Sequence, residues 1–66
     1  MKFRVEYSIY TEDNEQVAHD FYEVKAADET EARKLTARFI TEEHPAYDER
    51  IYPSYVIHSV EEVDAA

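Results

Sequence analysis

The order of elements predicts an α+β fold. Strand, strand, helix and strand follow one another, with the three strands in one sheet and the helix on one face. Three observations predict it. Residues 2–10 alternate apolar and polar side chains, the period of a half-buried strand. Residues 29–43 carry an apolar stripe at helical spacing behind a capping signal. Residues 54–60 (SYVIHSV) return to β-branched and aromatic residues. At 66 residues the chain has room for one small α+β domain, residues 1–66. A domain of this size buries only about 60% of the surface its unfolded chain exposes. There is no cysteine to staple it, and its nine aromatic side chains must fill a small core or an interface.

In the first strand, residues 2–10, Phe3, Val5, Tyr7 and Ile9 share one face. Lys2, Arg4, Glu6, Ser8 and Tyr10 share the other. Residues 11–15 (TEDNE) form a polar turn. The chain has no glycine, so Asn14 is expected in the left-handed conformation that the turn requires. Residues 16–26 form the second strand. Tyr22, Val24 and Ala26 lie on one face and His19, Phe21, Glu23 and Lys25 on the other, with a bulge near Val17 where the alternation falters.

The helix is expected over residues 29–43. Asp28 is its N-cap and Glu31, three residues on, completes a capping box. Ala32, Leu35, Phe39 and Ile40 form the buried stripe, flanked by Thr36 and Ala37. Glu29/Arg33 and Arg38/Glu42 are four apart on the outer face. Pro45 ends the helix by forcing His44 out of the helical region, and His44 is placed to satisfy the last helix carbonyls. Residues 44–53 form a long loop, residues 54–60 the third strand, and residues 61–66 an acidic tail. The hairpin makes strands one and two antiparallel. The helix then carries the chain back, so strand three runs parallel to strand two. A right-handed crossover gives the order 2-1-3, an antiparallel/mixed sheet with strand one central.

This topology sorts the charge. Sixteen acids against seven bases give a net charge of −9. Seven acids fall at one end, where the hairpin tip, the helix C-terminus and the long loop meet: Glu12, Asp13, Glu15, Glu42, Glu43, Asp48 and Glu49. They are opposed chiefly by Arg50, and the helix dipole is negative there too. The opposite end holds Asp28, Glu29, Glu31, Glu61, Glu62 and Asp64, partly offset by the helix N-terminus and Lys2. Direct nucleic-acid binding and anionic membrane surfaces are disfavoured by this balance. No apolar run approaches the roughly 20 residues of a membrane span, and no signal-like segment opens the chain. The expected compartment is the cytoplasm.

Uncompensated acids destabilise a small fold by self-repulsion. They serve solubility or salt adaptation, hold a cation, or recognise a basic protein surface. The spaced acids and glycine of a calcium loop are missing, so no metal is expected, and no cofactor. Tyr47 and Tyr52 flank the loop acids as candidate anchors. The partner-binding set is therefore Glu12, Asp13, Glu15, Glu42, Glu43, Tyr47, Asp48, Glu49 and Tyr52. The sheet face without the helix presents Tyr10, His19, Phe21 and Tyr55 as a candidate homodimer face. No motif joins a serine, a histidine and an orienting acid, and the paired carboxylates lie in no apolar pocket. Catalysis is not expected.

The run VKAADETEARKLTARFI carries a strand, a V-x-A-x-D-x-x-E-A turn and a helix. It resembles small acidic phage and prophage host-takeover proteins, such as the podoviral inhibitors of bacterial RNA polymerase, which are similar in length and ββαβ order. The resemblance covers residues 21–40 and the flanking strands. Its matching residues, Val24, Ala26, Glu31 and Ala32, are fold-forming. HicB-type antitoxins share the turn and helix but have glycine-bearing sheets. The resemblance implies a protein that occupies the basic, nucleic-acid-binding surface of a host protein, as DNA mimics do. The expected function is thus a non-enzymatic acidic inhibitor module acting in the host cytoplasm. The alternatives are an assembly protein dimerising through its open sheet face and a salt-adapted cellular domain.

Overall fold

A computed structural model describes residues 1–63. It contains strand β1 (Lys2–Tyr10), strand β2 (Gln16–Lys25), helix α1 (Glu29–Glu43) and strand β3 (Ser54–Val63) in that order. The sheet order is β2-β1-β3, as the crossover argument requires. Both neighbouring pairs are antiparallel, so β2 and β3 run the same way on either side of β1 without pairing to each other.

The central strand supplies the core because both of its edges are paired. Phe3, Val5, Tyr7 and Ile9 are all buried beneath α1. Phe3 and Val5 pack with Ala26 and Ala32, supported by Val24, Leu35, Ile57 and Val60. Tyr7 and Ile9 pack with Ile40, supported by Tyr22, Phe39, Tyr47 and Tyr55 among others. Tyr22 and Phe39 stack with ring centroids 4.1 Å apart, tying β2 to the helix. Full burial of a side chain such as Ile40 stabilises by roughly 1.5–3 kcal/mol.

Helix α1 begins as its sequence dictates. Asp28 Oδ1 accepts from the Glu31 N–H at 2.8 Å, and Glu31 Oε1 accepts from the Ala27 N–H at 2.8 Å. Thr36, expected at the flank of the stripe, lies fully buried at its centre. Its hydroxyl donates to the Ala32 carbonyl at 2.8 Å, which satisfies the one polar atom it brings inside. At the C-terminus His44 turns extended before Pro45, with φ −74 and ψ 124. The main-chain N–H of His44, not its ring, bonds a last-turn carbonyl, that of Phe39, at 3.1 Å. The ring accepts from the Ala46 N–H at 3.1 Å and stands edge-on to Tyr7.

Asn14 takes the left-handed position at φ 64. The expected bulge at Val17 is present, since Ile9 pairs with Ala18 while Tyr10 pairs with Gln16. Strand β2 ends at Lys25, one residue before the expected limit; the Ala26 N–H continues inward to the Met1 carbonyl at 2.8 Å. Strand β3 is longer than its apolar run, and Glu61, Glu62 and Val63 pair with Arg4, Phe3 and Lys2 rather than forming a tail. The tail expected over residues 64–66, with Asp64, lies outside the described residues.

A second bulge decides the faces of β3. Glu6 pairs with Ser59 and Tyr7 with Ile57, leaving His58 as the extra residue. This shift puts Ile57 and Val60 on the same side, both toward the helix. It also carries Tyr55 to that side, opposite Ile9 and against Tyr47. Tyr55 therefore does not belong to the open face, where simple alternation had placed it.

Candidate functional site

The hairpin tip, the end of α1 and the connection to β3 form one pole. The tip is closed by Thr11, whose N–H donates to Glu15 O at 2.9 Å and whose Oγ1 accepts from the Asp13 and Glu15 N–H groups at 3.2 Å. The Glu12 N–H reaches the Ile51 carbonyl at 3.4 Å, joining the tip to the connection. The connection is not the open loop its length implied. It contains a 3-10 turn, Glu49–Ile51, whose N-cap Asp48 accepts from the Arg50 N–H at 3.0 Å.

The seven expected acids lie on the elements of this pole, and they are not equivalent. Arg50 grips Asp48 through Nε at 3.1 Å and Nη2 at 2.7 Å. That hydrogen bonding lowers the Asp48 pKa to about 2, so this carboxylate is locally matched. Glu42 is met by Arg38 Nε at 2.8 Å, a second base that the expected balance omitted. Among the described residues, Glu12, Asp13, Glu15, Glu43 and Glu49 have no basic group within 4.0 Å. Seven carboxylates against two guanidiniums leave an excess of five at this pole. The last turn of α1 contains no base, so Glu43 sits unpaired at the negative end of the helix dipole.

The two lysines of the sheet are far away. Lys2 and Lys25 pair across β1 and β2 at the opposite end of the sheet. The Cα envelope measures 40 × 17 × 17 Å, and eight strand steps separate Lys2 from Tyr10 by roughly 27 Å. That exceeds the Debye length of about 8 Å at physiological salt. Those lysines therefore do little to offset the excess charge of the pole.

The two expected anchors differ. Tyr47 is half-buried on the core against Tyr55, so it buttresses the pole and is not a free anchor. Tyr52 is 72% exposed. It is held in the left-handed conformation, φ 49 and ψ 61, by its N–H bond to Glu49 O at 3.2 Å. A tyrosine at this φ is uncommon, and nothing in the alternation of residues around it announces it.

The open sheet face carries Arg4, Glu6, Ser8 and Tyr10 on β1, with His19 and Phe21 beside them on β2. His19 Nε2 donates to Glu6 Oε2 at 2.6 Å. This bond lowers the Glu6 pKa, with smaller contributions from the charges of His19 and His58 opposing a desolvation effect. Ser8 Oγ and the bulged His58 Nε2 lie 2.8 Å apart. The His19 and His58 rings meet edge to face, with centroids 5.8 Å apart. This Ser8–His58 pair spans fifty positions and two strands, so no sequence motif could have announced it. Among the described residues, no three histidine or acidic side chains converge as a metal site would require.

No family model matches the chain, and no curated protein or solved structure matches it either.

Proposed function

We propose that this chain is a non-catalytic acidic module that binds a basic surface on another protein through the hairpin pole. The observation that carries this reading is the unpaired Glu43 at a helix C-terminus without bases, surrounded by other unmatched acids. Solubility is served by acids placed anywhere. Acids gathered where the dipole opposes them destabilise the fold, and natural sequences break such local rules chiefly at functional sites. Glu12, Asp13, Glu15, Glu43 and Glu49 supply the field that steers and orients a partner. Exposed Tyr52, at the edge of those acids, supplies the apolar area that charge alone lacks.

The resemblance of the turn and helix around residues 24–32 to phage host-takeover proteins supports a bacterial nucleic-acid-handling protein as the partner. Its phosphate-binding surface is basic, and the pole offers comparable negative charge in its place. The test is capture from a bacterial lysate, in dilute buffer and at about 0.5 M salt, where screening shortens to a few Å. The bait is the wild type or a variant with Glu12, Glu15, Glu43 and Glu49 changed to Lys. One nucleic-acid enzyme held by the wild type in dilute buffer, released by salt and absent from the variant is the expected result. Equal capture by both proteins refutes the pole as the binding surface. Asp48 is left intact because it caps the 3-10 turn.

A further inference from the structure

We infer that the free edge of β2 pairs with the free edge of β2 in a second copy, antiparallel and centred on Phe21. The main chain leads there first. The Ala26 N–H bonds the Met1 carbonyl at 2.8 Å, and antiparallel ladders alternate from one residue to the next. Ala18, Asp20, Tyr22 and Val24 therefore turn their N–H and C=O groups toward β1. His19, Phe21, Glu23 and Lys25 turn theirs outward. Strand β2 has a neighbour on one side only, and among the described residues no main-chain group bonds the outward ones. Such a row is a template for another strand. Strand β2 carries no proline, and its bulge lies at Val17, outside the row. The other free edge of the sheet, on β3, is broken in its middle by the His58 bulge.

The side chains select the occupant and the register. Residues with outward groups must face one another to exchange bonds, so neighbouring registers differ by a shift of two residues. With Phe21 opposite Phe21, His19 faces Glu23, Asp20 faces Tyr22, Ala18 faces Val24 and Val17 faces Lys25. Each carboxylate then meets an imidazole or a phenol hydroxyl, and no like charges are opposed. A shift of two residues one way sets Asp20 on Asp20. The same shift the other way sets His19 against Lys25. The centred register is thus the one in which β2 complements itself. It also covers Phe21, 57% exposed in the monomer, with an identical ring as an aromatic cross-strand pair. His19 keeps its Nε2 bond to Glu6 and has Nδ1 left for the Glu23 carboxylate of the second copy.

A two-fold axis perpendicular to the sheet relates the copies, and two three-stranded sheets become one of six. Both helices lie on the same face. The central strands beneath them stand three strand spacings apart, about 14 Å, which exceeds the roughly 8–10 Å of packed helices, so the helices do not collide. The hairpin tips point to opposite ends, and residues 11–15 lie beyond the last pair. The register uses none of the acids assigned to the pole, so the two surfaces are separable. Main-chain bonds supply the strength of such strand addition. A contact along one edge is smaller than the roughly 1,200 Å² of stable interfaces, so the association is reversible and belongs to high concentration.

Sedimentation velocity on the full chain from about 10 µM to about 1 mM, with amide hydrogen exchange at both limits, tests the inference. The expected result is a monomer–dimer equilibrium in which the His19, Phe21 and Glu23 amides exchange more slowly as the dimer fraction rises. The Asp20, Tyr22 and Val24 amides, bonded to β1, are protected at both limits. Phe21→Lys, at an exposed position that leaves the core intact, should weaken the dimer at least tenfold. The chain has no cysteine, so introduced ones report the register. Phe21→Cys should cross-link to itself at least tenfold faster than Val56→Cys, on β3. In a mixture, His19→Cys and Glu23→Cys should join each other faster than either joins itself. A monomer throughout the concentration range overturns the inference. So does a dimer whose outward β2 amides stay unprotected, or one that cross-links through Val56 as fast as through Phe21.

Discussion

Changing Glu43 to Lys should stabilise this protein while removing part of its proposed binding surface. Glu43 is exposed in the last turn of α1, which holds no base, and it has no ion-pair partner among the described residues. A charge at an exposed helix terminus is worth about 0.3–1 kcal/mol. Reversal removes an unfavourable interaction and adds a favourable one, for a gain of about 1 kcal/mol. The 66 residues, at about 2.1 cal/mol/K each, give an unfolding entropy of about 0.14 kcal/mol/K, so Tm should rise by about 7 °C. The assay is thermal unfolding followed by circular dichroism in dilute buffer and again at about 0.5 M salt, where screening should remove most of the gain. Glu29→Lys is the control. It places a cation at the positive end of the same helix and breaks the 3.2 Å pair with Arg33, so Tm should fall. An unchanged or lower Tm for Glu43→Lys in dilute buffer would refute the reasoning. The pole would then be under no electrostatic strain, and the proposed function would lose its carrying observation.

Other perturbations test the framework that holds the pole. Ile40→Ala deletes a fully buried side chain between Tyr7 and Ile9 and should lower stability by about 2–5 kcal/mol. A domain of this size has only about 3–10 kcal/mol in total, so the urea midpoint should collapse. Asp28→Ala removes the bond to the Glu31 N–H and should lower stability by about 1 kcal/mol; an unchanged urea midpoint would show the cap to be idle. Asp48, with its pKa lowered to about 2 by Arg50, stabilises the fold above its ordinary range near 4. That contribution is lost as pH falls from about 4 to about 2. The difference in Tm between wild type and Arg50→Ala should therefore shrink across that window. A constant difference would mean that the pair does not stabilise the 3-10 turn.

Local signals told most where one residue determines one outcome. Asp28 and Glu31 mark the helix start, Pro45 its end and Asn14 the turn, because capping, φ restriction and the left-handed region each act on single positions. Strand ends were less legible. Glu61 and Glu62 look like a charged tail, yet β3 continues through them because the backbone of β1 still has partners to offer at Arg4 and Phe3. The face of Tyr55 was misassigned because alternation assumes an unbroken period of two. The warning was present in Ile57 and Val60, two large apolar residues an odd number of positions apart. Both can face the helix only if one residue between them is extra. Thr36 looked like a flank because its hydroxyl is polar, but within a helix that hydroxyl can bond the carbonyl four residues back and enter the core satisfied. Arg38 was legible as the partner of Glu42, but not as a correction to the charge of the pole.

The open face also bears on the question of catalysis. Ser8 and His58 at 2.8 Å have the spacing of a nucleophile and its base. Ser8, however, is only 1% exposed, so a substrate could not reach its hydroxyl without first displacing the side chains that cover it. Glu6, on the same face, is engaged by His19 at 2.6 Å, and among the described residues no carboxylate lies within 4.0 Å of the His58 ring nitrogens. The Ser8–His58 pair has a structural consequence. It fastens the bulged residue of β3 to the central strand, and that bulge turns Tyr55 and Ile57 inward to the core. The same face bears the His19–Glu6 bond, with Phe21 and Val56 as its exposed apolar surface. The acids proposed to act on a partner are meanwhile held at the far end of the molecule, on the hairpin tip, the end of α1 and the connection to β3.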